Sequence, residues 1–173
     1  MIRQFLNSAR RIVYIRIASD RIIMQSNDGL HWEAAPDVGI KANGKDEVIA
    51  VIKDGGTSYR DAASVSRWVN PFSHPRTIFA DFMVGEKLIQ HGLLTMLGNR
   101  FIGGSPALGI IHPLEKLEGG LTEIERRALR ELGLGAGFRE CRVYTGPEIV
   151  VRGMTTKNVE GRLGEGYGRR GDA

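Results

Sequence analysis

From residue 11 to residue 52 the chain alternates between short runs of β-branched residues and turn-forming residues, a pattern typical of a β-sheet. Two runs, Arg11–Ala18 and Arg21–Gln25, are separated only by the pair Ser19-Asp20, a spacing typical of a β-hairpin. Further runs follow turn signals that contain Asn, Asp, Gly or Pro: Leu30–Ala34, Val38–Lys41 and Val48–Ile52. The sequence therefore predicts an antiparallel meander.

The second half of the chain changes to helical periodicity. Apolar residues recur on one helix face over Asp81–Leu97, with Asp81 as the N-cap or just outside the helix and Gly98 as a candidate terminator. A second helix is predicted to begin near Thr122, because Thr122 and Glu125 have the spacing of a capping box. Two amphipathic helices are therefore available to cover a sheet.

Two further strands are predicted on either side of the second helix, at Ala107–His112 and Cys141–Thr145. Strands joined by a helix in this way form a parallel pair with a right-handed crossover. Residues Tyr59–Val69 show weak helical periodicity. The order of meander followed by helix, strand, helix and strand predicts an α/β fold with a sheet of mixed strand direction.

Composition excludes several classes of protein. A chain of 173 residues is long enough for about one domain. Its single cysteine, Cys141, rules out an internal disulfide, and the four histidines lack the spacing of metal ligands. The N-terminus lacks the apolar core of a secretory signal, and no apolar run approaches the roughly 18–20 residues of a membrane span. We expect a cytoplasmic protein without a metal site.

The C-terminal residues 151–173 are rich in Gly and Arg and poor in apolar residues. Such a composition buries too little surface to offset the entropy of ordering, so we expect a disordered tail after a domain of residues 1–150. The net charge is +4, which permits binding to nucleic acid or anionic lipid without requiring either. A solvated tail is the simpler interpretation, and nucleic acid is not an expected partner.

Two stretches resemble the MreB family, the bacterial actin-like proteins that determine rod shape. One is Ala80–Lys87, and the other is Leu121–Ala128 followed by Gly135–Glu140. The resemblance extends over residues 1–150 and implies one actin-like, ribonuclease-H-like subdomain, a mixed sheet flanked by helices. Family members hold ATP between two lobes. This chain matches only the first part of the first lobe, without the segments that hold adenosine and the second phosphate loop.

The resemblance also implies where the family's first phosphate loop, Asp-x-Gly-Thr, would lie. With a one-residue deletion, its matching positions are Arg16, Ala18 and Ser19. Arg16 replaces a carboxylate that acts near Mg²⁺, and a cation does not ligate a hard metal. The segment is therefore either an ordinary hairpin or a residual phosphate contact through Arg16 and Ser19. We expect no cofactor, with ATP and Mg²⁺ as the alternative.

Glu125 has two interpretations. By resemblance it matches the family glutamate that positions the hydrolytic water, which makes it the candidate catalytic residue. The capping box with Thr122 explains the same residue without any ligand.

Membrane contact is a further expectation from the resemblance, because family members insert a short N-terminal helix or a loop of this subdomain into the inner membrane. Ile2, Phe5 and Leu6 fall on one helical face with arginines at its edges. Phe101 and Ile102 lie where the family's insertion loop lies. The alternative is that both patches pack against the domain itself.

These features predict an MreB-like cell-shape protein, cytoplasmic and peripheral at the inner membrane. We expect no ATP hydrolysis and a role as a binding module that caps, decorates or modulates an MreB-type filament, or that self-associates. One alternative is a homodimer that rebuilds a phosphate site from Ser19 and Glu125 and binds or hydrolyses nucleotide. The other is a degenerate remnant without a filament role.

Overall fold

The computed structural model describes residues 11–43, 46–52, 64–98 and 107–166. The strands are β1 (Arg11–Ile17), β2 (Ile22–Ser26), β3 (His31–Ala34), β4 (Val38–Asn43), β5 (Asp46–Ile52), β6 (Arg67–Val69), β7 (Ala107–Pro113) and β8 (Glu140–Val143). The helices are α1 (Phe82–Leu97), α2 (Glu123–Ala136) and α3 (Thr156–Gly166). Five strands form a mixed sheet in the order β3-β2-β1-β7-β8, and three form a second sheet in the order β5-β4-β6.

Strand β1 lies at the centre of the large sheet because it is apolar on both faces, with Ile12 to Ile15 fully buried. It pairs antiparallel with β2 and parallel with β7, and β7 pairs parallel with β8. The predicted hairpin and the predicted parallel strand–helix–strand unit are therefore confirmed. The pairing of Ile17 with Pro113 brings the turn after β1 and the loop after β7 to the same edge of the sheet.

Helices α1 and α2 cover one face of this sheet, and each begins directly after its predicted N-cap residue. The Asp81 side chain accepts a hydrogen bond from the Val84 amide at 3.0 Å, and Thr122 forms the capping box with Glu125. Gly98 ends α1 in a backbone conformation with φ of 56°. The apolar faces of the two helices share the main core with β1, through Leu88, Leu93, Leu129, Leu132, Val13 and Ile15.

The opposite face of the large sheet is covered by the C-terminal segment, where the structure differs from the predicted disordered tail. Residues 156–166 form α3, and Val159 is fully buried against Ile12 and Tyr14 of β1. The Asn27 side chain also donates a hydrogen bond to the Met154 carbonyl at 3.0 Å. The prediction is wrong for residues 151–166 because the burial that orders them comes from the distant strand β1, which local composition does not register.

The predicted meander divides between the two sheets. Strands β1 to β3 form one antiparallel set, whereas β4 pairs with β5 and β6. The division falls at Pro36, whose ring removes a backbone donor and restricts the preceding residue. The weak helical periodicity over Tyr59–Val69 is corrected for Arg67–Val69, which is strand β6; residues 59–63 lie outside the described residues.

Candidate functional site

The turn between β1 and β2, where the resemblance places a phosphate loop, is bound by a carboxylate of the protein itself. The backbone amide of Ser19 donates to Oε2 of Glu115 at 3.0 Å, and its hydroxyl donates to Oε1 at 3.2 Å. Glu115 reaches the turn because it follows β7 directly, and the Leu114 amide donates to the Ile17 carbonyl at 2.9 Å. Both donors of Ser19 are therefore engaged by one acidic side chain.

The rest of the turn is held by neutral and cationic contacts. The Ala18 amide closes the turn by donating to the Arg21 carbonyl at 2.9 Å, and the Ala18 side chain is buried. The Asn70 side chain donates to the Ser19 carbonyl at 2.8 Å. Lys116 lies beside the same small depression and donates to the Phe72 carbonyl at 3.0 Å. This turn is thus a tight hairpin that is held by hydrogen bonds to other segments of the same chain.

Arg16 does not take part in the turn. Its guanidinium forms an ion pair with Glu148 and donates to the Gln25 side chain at 3.1 Å. The same group lies 5.7 Å from the centre of the Tyr14 ring. The structure therefore directs Arg16 and Ser19 to different carboxylates, Glu148 and Glu115, and does not join them in one anion site.

A buried aromatic cluster lies beside Arg16 on the α3 side of the sheet. The Tyr14 hydroxyl forms a hydrogen bond with Nδ1 of His112, and the His112 ring meets the Tyr144 ring edge-on at 5.1 Å. Burial raises the pKa of Tyr14 to about 12. Burial also lowers the pKa of His112, and Arg16 lowers it further, while Glu148 opposes them. Both Tyr14 and His112 are consequently neutral near pH 7.

Glu125 is engaged in the capping box at the start of α2. Its carboxylate accepts hydrogen bonds from the Thr122 amide at 2.9 Å and from the Thr122 hydroxyl at 2.8 Å. The Glu125 amide in turn donates to the Thr122 hydroxyl oxygen at 3.2 Å. These contacts give Glu125 a structural role that needs no ligand, and they involve neither Ser19 nor Arg16.

The candidate membrane-contact residues Ile2, Phe5, Leu6, Phe101 and Ile102 lie outside the described residues. Of the three described helices, none combines the length and hydropathy needed to cross a bilayer. Within the same described ranges, no group of three or more His, Cys, Asp or Glu side chains is arranged to hold a metal ion.

Glu115 and Glu148 are the two site residues that the sequence interpretation missed. Each lies far from its partner in the sequence: Glu115 is 96 positions from Ser19, and Glu148 is 132 positions from Arg16. The parallel pairing of β1 with β7 is the signal that could have found Glu115, because it brings the residues after Pro113 beside the hairpin turn. No comparable local signal points to Glu148.

A mixed five-stranded sheet flanked by helices is the fold of the actin-like proteins, and two solved structures share it. A non-polymerising MamK mutant bound to AMPPNP matches with a TM-score of 0.58 at 12% identity, over 79% of this chain and 41% of that one. MreB 5 of Spiroplasma citri bound to AMPPNP matches with a TM-score of 0.52 at 17% identity, over 79% and 39%. The expected actin-like fold is therefore confirmed.

In sequence, part of the chain is similar to the cell shape-determining protein MreB. The MreB of Escherichia coli strain K12 is 41% identical over 63 residues, which cover 36% of this chain and 17% of that protein. The MreB of Pasteurella multocida strain Pm70 is 34% identical over 70 residues, which cover 40% and 18%. No protein-family model matches the chain. The resemblance to MreB is confirmed, and the matched part spans less than a fifth of these relatives.

Proposed function

We propose that this protein is an MreB-like component of the cell-shape cytoskeleton that does not hydrolyse ATP. It acts as a module that binds an MreB-type filament or a second copy of itself. The sequence similarity to MreB and the actin-like fold support the cytoskeletal part of this proposal. The geometry of the hairpin turn supports the non-catalytic part.

The observation that carries the non-catalytic part is the pair of hydrogen bonds from Ser19 to Glu115, at 3.0 and 3.2 Å. A phosphate that approached this turn would have to displace a carboxylate and then remain close to its negative charge. Arg16, at the position of the metal-associated carboxylate, is held by Glu148 and Gln25. The amide and hydroxyl of Ser19 are therefore already bound to a carboxylate, and a cation stands at the position of the metal-associated acid, where it does not ligate Mg²⁺.

Co-sedimentation with filaments of E. coli MreB tests the binding role. The full chain should pellet with polymerised MreB and stay in the supernatant when MreB is kept unpolymerised, which serves as the matched control. A chain that stays in the supernatant under both conditions contradicts the filament-binding role and favours the degenerate remnant.

Nucleotide binding is the second candidate function, because the MamK mutant and the MreB 5 structures described above are bound to AMPPNP. Isothermal titration with Mg-ATP separates the two candidates. We expect no heat of binding at millimolar nucleotide for the unmodified chain. The variant Glu115→Ala, which frees the amide and hydroxyl of Ser19, gives the turn its best chance to bind. Saturable binding by the unmodified chain would replace the non-catalytic proposal with the nucleotide-dependent one.

We further propose that the protein is cytoplasmic and touches the inner membrane through Ile2, Phe5, Leu6, Phe101 and Ile102. The support is the pattern of apolar residues next to arginines and glycines in the sequence. Flotation with vesicles of phosphatidylglycerol and phosphatidylcholine should recover the unmodified chain. The double variant Phe5→Asp and Phe101→Asp should stay at the bottom of the gradient. Equal recovery of both proteins would show that these side chains do not contact the membrane.

A further inference from the structure

Strand β8 is an edge of the large sheet, since its pairing in the described part of the chain is with β7 alone. The Tyr144 amide donates to the Ile111 carbonyl at 2.8 Å. Backbone groups of a strand point alternately to its two sides. The amides and carbonyls of Cys141 and Val143 therefore point away from β7, toward the outside of the sheet. Such a row of outward backbone groups is a template for another strand.

This edge lies in a groove of about 1080 Å³ between two helices. Arg126 and Arg130 of α2 line one wall, and Glu160 and Leu163 of α3 belong to the other. The groove carries four arginines and four glutamates in all. Because the positive and negative charges of the lining are equal in number, the groove does not favour a strongly acidic or strongly basic peptide. It suits a surface that also carries equal numbers of positive and negative charges.

We propose that the occupant of this groove is a second copy of the chain, joined through antiparallel pairing of the two β8 strands about a two-fold axis at Cys141. This pairing extends the five-stranded sheet of each copy into one continuous sheet. A two-fold interface uses the same patch on both subunits, so each side chain must complement its symmetry-related neighbour. The charges of β8 meet this condition.

Within one chain, Glu140 and Arg142 lie on the same face of the strand and form an ion pair at 2.8 Å. With the axis at Cys141, Glu140 of each copy lies opposite Arg142 of the other, which gives two opposite-charge pairs across the strands. An axis at Arg142 would place two arginines opposite each other, and an axis at Glu140 would place two glutamates opposite each other. Like charges in opposite positions destabilise a sheet, so charge favours the axis at Cys141 over an axis at Glu140 or Arg142.

A register in which one β8 strand slips by a single residue relative to the other is excluded, because it would mix the two faces of the sheet. Cys141 belongs to the core beneath α2, whereas Tyr144 belongs to the core beneath α3. Residues that lie opposite each other in a sheet share a face, and a one-residue slip would bring the α2 face of one copy to the α3 face of the other. Charge and strand face together therefore favour the register with the axis at Cys141.

This inference deepens the self-association named in the proposed function and rests on it, and its test is a charge swap followed by sedimentation velocity on the full chain. The unmodified chain should sediment as a dimer at tens of micromolar. Arg142→Glu should weaken dimerisation by about tenfold or more, because it places two glutamates opposite each other on both sides of the axis. The double variant Glu140→Arg with Arg142→Glu should restore the dimer.

Arg76→Glu, which makes the same charge change in an exposed loop before α1, is the matched control and should leave the dimer unchanged. Far-ultraviolet circular dichroism of each variant checks that it is folded. A monomeric unmodified chain, a folded Arg142→Glu variant that still dimerises, or a charge swap that does not restore the dimer would each overturn the inference. Filament co-sedimentation tests the proposed function independently, since it uses MreB and does not require the β8 edge.

Discussion

The backbone amide of Ser19 and the carboxylate of Glu115 lie 3.0 Å apart, although 96 residues separate them in the sequence. The contact joins the turn after β1 to the loop after β7, two segments that the parallel pairing of these strands brings together. It occupies the turn from which the related phosphate loop would bind its ligand. The pair therefore has a structural consequence, and it also carries the proposal that this turn does not bind nucleotide.

The structural consequence is that Glu115→Gln should lower the free energy of unfolding by about 1–2 kcal/mol. The amide retains an acceptor oxygen for one donor of Ser19 but loses the charge that strengthens both hydrogen bonds. Urea denaturation measures the change. Glu118→Gln, at an exposed position of the same loop, is the control and should change the stability little. Equal stability of both variants would mean that the hydrogen bonds to Ser19 contribute nothing.

Loss of the α2 cap should also be measurable. Thr122→Ala removes the side-chain oxygen that accepts from the Glu125 amide, and it should cost about 1 kcal/mol of stability. Thr95→Ala changes an exposed threonine inside α1 and is expected to be neutral or slightly stabilising. Because Thr122 and Glu125 form one reciprocal unit, Glu125→Ala should add little to Thr122→Ala in chemical denaturation. Full additivity of the two substitutions would contradict the capping box.

Two glycines of α2 should respond in opposite ways to the same substitution. A Cβ at Gly133 would collide with Sγ of Cys141 and lie 3.1 Å from Cδ1 of Ile111, so Gly133→Ala should destabilise the protein by about 1–3 kcal/mol. A Cβ at Gly135 would meet the flexible carboxylate of Glu86, which can move away. Gly135→Ala should be neutral or stabilising by up to about 1 kcal/mol.

Thermal unfolding of both variants measures this difference. Adding Cys141→Ala to Gly133→Ala should recover part of the lost stability, because it removes the sulfur atom that collides. If Gly133→Ala is as stable as Gly135→Ala, then α2 does not approach β8 as closely as the structure shows.

Stability should fall in mildly acidic solution because of His112. Burial holds the pKa of His112 below the value of 6.5 that applies to the unfolded chain. As the pH falls below about 6.5, His112 therefore becomes protonated in the unfolded state but not in the folded state. The free energy of unfolding decreases until the pH reaches the pKa of His112 in the folded state. Above that range both states are neutral at this residue and its contribution does not change.

Urea denaturation at pH 7.5 and at pH 5.5 measures this dependence. His112→Gln should lose less stability between the two pH values than the unmodified chain, whatever its stability at neutral pH. His31→Gln removes an exposed histidine and is the control, with the dependence of the unmodified chain retained. If the stability of His112→Gln depends on pH in the same way as that of the unmodified chain, the acid sensitivity comes from other groups.

The local elements were predictable because the residues that define them lie within a few positions of each other. The hairpin after β1 follows from Ser19-Asp20 between two β-branched runs, and the N-termini of α1 and α2 follow from Asp81 and Thr122. The actin-like fold followed from the resemblance together with this order of elements. The interpretation of Glu125 as a cap was also accessible, because its partner is three residues away.

The remaining features depend on residues that meet only after folding. Composition alone led to the wrong expectation for residues 151–166, since the apolar surface that orders α3 belongs to β1 and β7. The split of the meander into two sheets required knowledge of which strand β4 pairs with. The carboxylates that bind Ser19 and Arg16 could not be identified from spacing, because sheet topology sets their proximity.

By itself, the sequence determined where strands, turns and helices begin and which residues cap them, because those preferences come from backbone geometry and from hydrogen bonds between near neighbours. The tertiary structure decided which of these segments lie side by side. It placed Glu115 on the donors of Ser19, Glu148 on Arg16, and α3 on the central strand. The physical reason is that contacts between distant segments depend on strand order and burial, properties of the assembled sheet that no short window of residues contains.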